Sequence, residues 1–94
     1  MKFEWDPRKA KRNLAKHKVS FEAATTVFRD PLSATGADPD HSADENRFIT
    51  FGLSSRRRLL TVSHTEREDS IRIISARRAT KEERDFYEEG QLRT

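Results

Sequence analysis

Apolar residues recur along the chain in short blocks whose period changes from two to nearly four and back to two, and that change orders the elements. Phe3-Glu4-Trp5 alternates as a first strand, and Asp6-Pro7 ends it with a helix N-cap followed by proline at the first helical position. The spacing predicts a helix over 7–17 with a thin apolar side, Ala10 and Leu14, and with Lys9, Asn13 and Lys16 at i, i+4 and i+7 on another. Ser20 caps a second helix in which Phe21, Ala24 and Phe28 share a face, Glu22 suits the first turn, and Asp30-Pro31 stops it. A short strand over 32–35 and an exposed loop over 36–43 follow. Three stronger strands come next. Over 47–53, Ile49, Phe51 and Leu53 alternate with Phe48, Thr50 and Gly52; over 59–65, Leu60 and Val62 alternate with Thr61, Ser63 and Thr65; 70–75 is the third. Residues 54–58 between the first two are short enough for a hairpin. Thr80-Lys81-Glu82-Glu83 is a capping box that opens a last helix through Phe86 and Tyr87 to Gly90.

The order β-α-α-(β)-β-β-β-α implies an α+β fold in one domain over 1–94, an antiparallel sheet of three to four strands packed by two N-terminal helices and one C-terminal helix. The helices are expected to cover one sheet face. The other face, polar by the alternation, is left for a ligand.

Composition narrows the chemistry. The chain has no Cys, which excludes disulfides, thiolate catalysis and cysteine-ligated metals and leaves only His and carboxylates as metal ligands. His17, His41 and His64 lack ligand spacing, so neither a metal nor a cofactor is expected. No apolar run approaches the ~20 residues that span a bilayer, and the first residues lack the core of a signal peptide, so the expectation is a cytoplasmic protein without membrane contact. A pI near 9.6 accompanies segregated charge. Lys2, Arg8, Lys9, Lys11, Arg12, Lys16 and Lys18 crowd the first twenty residues, whereas Asp38, Asp40, Asp44 and Glu45 share a stretch with no base. One region suits a polyanion and another a basic partner.

Walker, GxGxxG, GxSxG and HExxH signatures are absent. The conspicuous residue is arginine. Alternation aligns Thr61, Ser63, Thr65 and Arg67; Arg72 interrupts the apolar run Ile71-Arg72-Ile73-Ile74; Arg77 and Arg78 sit where that strand turns into the last helix. Clustered guanidinium groups hold a scissile phosphate and stabilise charge built on it, and RNA supplies its own nucleophile in the 2′-OH, so Arg67, Arg72 and Arg77 are the catalytic candidates. Arg72 carries an equal alternative, a structural ion pair with a helix carboxylate such as Glu83. Arg67 and Arg77 are read as converging at strand ends, with solvated turn residues as the alternative. His64 is a candidate proton carrier, against which stands its place on the Leu60 and Val62 face, where a core-edge histidine is the plainer reading. Tyr87 is a second candidate for proton transfer. Lys9, Lys16, Arg47, Phe48 and Arg78 are the RNA-binding candidates, Phe48 by base stacking. A solvated helix face is the alternative for the lysines, and a small apolar cluster for Phe48.

Phe3-Glu4-Trp5-Asp6, Lys9, Asn13, Lys16-His17, the run Val19 to Ala24 and Val27-Phe28-Arg29-Asp30-Pro31 resemble the N-terminal half of the BrnT toxins. Glu45-Asn46-Arg47, Phe51-Gly52, Thr65-Glu66-Arg67 and the run Arg72 to Thr80, with Glu83, Arg84 and Tyr87, resemble the remaining blocks in order and spacing. The resemblance implies a RelE-like ribonuclease fold and metal-independent RNA cleavage that arrests translation. It also implies neutralisation by a BrnA antitoxin with a ribbon-helix-helix DNA-binding domain, through which alone the toxin reaches operator DNA. At position 18 the chain has Lys where the family often has Gly, so the turn between the first two helices is expected to differ slightly. The rival reading is a non-catalytic nucleic-acid-binding or repressor-docking module.

Overall fold

In the computed structural model the elements are β1 (Lys2–Glu4), α1 (Pro7–His17), α2 (Phe21–Thr26), β2 (Ala34–Ala37), β3 (Arg47–Leu53), β4 (Leu59–Arg67), β5 (Ser70–Arg78) and α3 (Lys81–Leu92). It describes residues 1–39 and 46–92, with side chains through residue 90. Asp40, Asp44 and Glu45 of the acidic stretch, and His41, lie outside the described residues. The fold is α+β, with one correction to the sheet. Five strands run in the order β1-β5-β4-β3-β2: β2 to β5 form an antiparallel meander, and β1 joins its far edge parallel to β5. Alternation in β1 shows a strand but not its partner, which lies more than sixty residues away.

Local chemistry sets the boundaries. Asp6 caps α1 by accepting from the Arg8 N–H at 2.8 Å, and Ser20 caps α2 by accepting from the Ala23 N–H at 3.0 Å. Lys18 closes α1 in the left-handed region at φ 59, a conformation glycine adopts without a Cβ penalty. The capping box at α3 is reciprocal: Thr80 Oγ1 accepts from the Glu83 N–H and Glu83 Oε1 from the Thr80 N–H. Asp30 holds a tight turn by accepting from the Leu32 N–H, so β2 starts at Ala34 and extends into what reads in the sequence as loop.

The helices α1 and α2 seal one face of the sheet. Phe21, Ala24 and Val27 pack with Leu60, Val62, Ile71, Ile73 and Ala76, all nearly or wholly removed from water. Gly52 in β3 is required by this contact, since a Cβ there would sit 2.7 Å from Val27 Cγ1 and 3.0 Å from Ser33 Cβ. Asn13 is a further correction. It is buried rather than displayed beside Lys9 and Lys16, and its amide donates to Val19 O and Ala76 O while accepting from the Ala76 N–H at 3.1 Å. It satisfies the edge of β5 beyond the short β1, standing in for a neighbouring strand.

The third helix is not on this layer. α3 lies across the opposite face, where Phe86 meets Phe51 edge-on at 6.1 Å. The expectation that all helices share one face therefore fails, because Phe51 and Thr61 alternate away from the core and offer α3 a second seat.

Candidate functional site

Register places one transverse row of side chains on the α3 side of the sheet. Arg47 of β3 pairs with Thr65 of β4, Thr65 with Arg72 of β5, and Arg72 with Glu4 of β1. Arg67, two residues beyond Thr65, falls on the same face. The row crosses four strands, a span of about 14 Å at the usual strand spacing. Thr61, where α3 docks, lies four residues away along β4, or about 13 Å. α3 therefore covers the Thr61 end of the face and not the row.

The Arg72–Glu4 pair in the row is loosely held. Arg72 Nη1 stands 3.9 Å from Glu4 Oε1, with the two side chains 40% and 48% exposed. Arg47 Nε is 3.8 Å from Asp38 Oδ2. Thr65 Oγ1 is buried and makes no hydrogen bond among the described residues. The Arg72 guanidinium, so loosely paired, can take phosphate oxygens, and Glu4 sets a carboxylate beside it. Glu4 escaped the sequence reading. The signal was present, since Phe3 alternates into the core and so turns Glu4 outward.

Arg77 stands apart from this group. It pairs with Thr61 at the opposite end of the β4–β5 ladder from Arg67, about 20 Å away along the strand, so the two arginines do not converge. An antiparallel pair puts the start of one strand beside the end of the other, which separates residues that look adjacent to strand ends. Arg77 grips Glu83 with both terminal nitrogens, at 2.7 and 2.9 Å. The ion pair weighed for Arg72 is thus made by Arg77 instead. Burial alone would raise the Glu83 carboxyl, but hydrogen bonds from Arg77, the Thr80 backbone and Thr61 outweigh it and hold its pKa at about 2. The same bond raises the Arg77 pKa. Arg78 is exposed at that far end, and its carbonyl accepts from Arg77.

Neither proton-transfer candidate reaches the row. His64 is fully buried, its Nε2 lies 2.7 Å from Thr50 Oγ1, and its ring sits against Phe28 and Phe48 at 5.0 and 5.9 Å. Burial lowers its pKa to about 4, so it is neutral near pH 7 and belongs to the core, as its alternation indicates. Tyr87 is also buried, and its hydroxyl donates to Asp30 Oδ2. Burial tends to raise the Asp30 pKa, but the Leu53 N–H, Tyr87 and the Leu32 N–H bring it below its ordinary value. Phe48 is corrected too: it lies on the helix-covered face, stacked on His64, and not on the open face.

Lys9 and Lys16 are exposed on α1, where with Arg12 and His17 they border a groove of about 310 Å³ against Ile74 and Ser75 of β5. Helix α1 contains no acidic residue and begins three residues after Glu4. Its basic side thus leads away from the row.

Among family models, residues 5–83 match one described as the ribonuclease toxin BrnT of a type II toxin–antitoxin system. Among solved structures, the chain is similar to the Brucella abortus ribonuclease toxin BrnT, with a TM-score of 0.68 at 20% identity, covering 86% of this chain and 99% of that one. No curated relative matches significantly.

Proposed function

The chain belongs to the BrnT family of ribonuclease toxins of type II toxin–antitoxin systems, and on that premise we propose that it is an endoribonuclease that cleaves RNA by attack of the substrate's own 2′-OH, without a metal ion. The observation that carries this reading is the row Arg47, Thr65, Arg72, Glu4 with Arg67 beside it, on the part of the sheet face that α3 does not cover. Arg67 and Arg72 bind the scissile phosphate and stabilise the added negative charge of the pentacovalent transition state. Glu4 takes the proton of the 2′-OH as its oxygen attacks phosphorus. The P–O5′ bond breaks, water protonates the leaving 5′-oxygen, and the products are a 2′,3′-cyclic phosphate and a 5′-OH. Holding the nucleophile in line supplies much of the acceleration. Arg77, His64 and Tyr87, committed elsewhere, take no part.

Lys9, Lys16 and Arg47 bind flanking phosphates. We place the toxin in the cytoplasm, where cleavage arrests translation, with a BrnA-type antitoxin whose ribbon-helix-helix domain links the pair to operator DNA. No described helix is long and apolar enough to cross a membrane. The RelE-like character of the fold belongs to the same proposal.

The test uses the purified chain, freed of antitoxin, with an RNA oligonucleotide in EDTA. Cleavage to cyclic-phosphate ends is expected, with Arg72→Ala, Arg67→Ala and Glu4→Gln each slowing it about 10²–10³-fold, the cost of losing one transition-state donor. Dependence on magnesium, or 3′-OH products, overturns the mechanism. RNA bound but never cut favours the binding module.

A further inference from the structure

A second basic surface lies at the other end of the sheet. The β3–β4 hairpin turns at residues 54–58, six residues along β4 from Thr65 and thus about 20 Å from the row. Between it and the helices runs an open groove of about 430 Å³ whose lining includes Leu14, Lys18, Glu22, Ala23, Arg56 and Arg58. Hydrogen bonds link its walls. Arg58 Nη2 donates to Lys18 O at 3.3 Å, and the Ser55 N–H to Thr26 Oγ1 at 2.9 Å, so the hairpin is tied to both helices. Leu14, on a helix otherwise crowded with cations, leaves 49% of its surface exposed into this groove.

Three cations against one carboxylate, around an aliphatic lining, define the occupant. A nucleic acid would find phosphate partners but would leave Leu14 without an apolar partner and set its phosphates against the like charge of Glu22. An acidic segment with an aliphatic anchor satisfies both parts, its apolar side chain on Leu14 and Ala23 and its carboxylates on Lys18, Arg56 and Arg58. We infer that this groove is the docking site for an acidic, amphipathic segment of the antitoxin. The inference rests on the toxin reading for its partner, not on the placement of the cleavage row. It gives the antitoxin an anchor remote from the row, with electrostatic attraction speeding the encounter.

The test is binding of a fluorescent helical peptide, with leucines on one face and glutamates flanking them, to the full chain and to Leu14→Glu and Arg56→Glu. Both substitutions are at exposed positions, and circular dichroism confirms folding. Each is expected to weaken binding at least about ten-fold, while RNA cleavage by the antitoxin-free chain stays within about two-fold of the parent. A peptide with lysines for glutamates should not bind. In cells, the same variants should stay toxic when the antitoxin is co-expressed. Unchanged peptide binding in both variants overturns the inference, as does displacement of the peptide by poly(U) together with lost cleavage, which marks the groove as a path for RNA. A parent chain that binds the peptide yet cuts no RNA supports the groove and sinks only the ribonuclease mechanism.

Discussion

Under α1 and α2, Phe21, Leu60, Val62 and Ile73 are sealed from water, whereas under α3 the contacts on the opposite face of the same strands include the ring pair Phe51 and Phe86 and polar latches from Arg77 and Thr61 to Glu83 and from Tyr87 to Asp30. The first face has no room for a ligand and absorbs even its polar members, turning His64 and Thr50 into core. The second is closed over half its length. Its arginines divide accordingly: Arg77 at the covered end is consumed in holding α3, and Arg72, on the same strand but at the uncovered end, keeps a loose partner at 3.9 Å. The proposed cleavage site thus falls on the half of a face that packing does not use.

The largest effect on stability should come from the sealed face. Leu60→Ala removes a fully buried side chain and should cost about 3 kcal/mol. Phe51→Ala on the latched face deletes a larger ring but should cost about half as much, because that ring is only half-buried. Urea unfolding compares the two; a Phe51 cost at or above that of Leu60 means that α3 closes a genuine second core.

Acid should loosen the sealed face first. Because the folded pKa of His64 is depressed from 6.5 to about 4, the unfolded chain binds a proton that the folded chain refuses. Stability from this source is full above pH 6.5 and drains as pH falls towards 4, by on the order of 3 kcal/mol. Glu83 behaves as a depressed carboxylate: its contribution is present above pH 4.5 and lost as pH falls through about 2. His64→Phe should flatten unfolding free energy between pH 6.5 and 4 while leaving the lower transition in place. A slope that survives in this variant assigns the upper transition elsewhere.

The latch comes next. Arg77→Ala should cost about 1–2 kcal/mol, discounted because the guanidinium is partly exposed, and should speed hydrogen exchange in α3 before the sheet. RNA cleavage should survive in Arg77→Ala and not in Arg72→Ala. Equal loss in both breaks the division between covered and uncovered ends.

Much of this arrangement is written locally and is therefore legible. Asp6, Ser20 and Thr80 each cap within three residues of their own position, and alternation over 47–53 and 59–65 fixes which side chains share a face. What is decided by partners distant in sequence is not legible. Glu4 gains its meaning only when β1 pairs with β5, Asn13 only when α1 meets Ala76, and Arg77 only when α3 crosses to the second face. The arginines of the proposed site are visible in the sequence as a set. Their sorting into structural and available members is not, because it depends on which end of an antiparallel ladder α3 covers.

The smallest stability change, and the sharpest probe of where RNA leaves the row, belongs to Lys9 and Lys16. Both are exposed on α1, so replacement by Ala should shift unfolding by less than ~0.5 kcal/mol. The role proposed for them in RNA binding is electrostatic, and it should show in salt dependence rather than in the maximal rate. Each phosphate neutralised on a single strand releases condensed counterions, contributing about 0.7 to the slope of log affinity against log salt. Lys9→Ala and Lys16→Ala should each lower that slope by about this amount, and the double variant by about twice as much, with turnover at saturating RNA unchanged. Arg72→Ala differs in kind, since it strips charge from the reacting phosphate and should depress turnover itself. A double variant with the parent's slope makes α1 an ordinary solvated face and confines RNA binding to the uncovered half of the sheet.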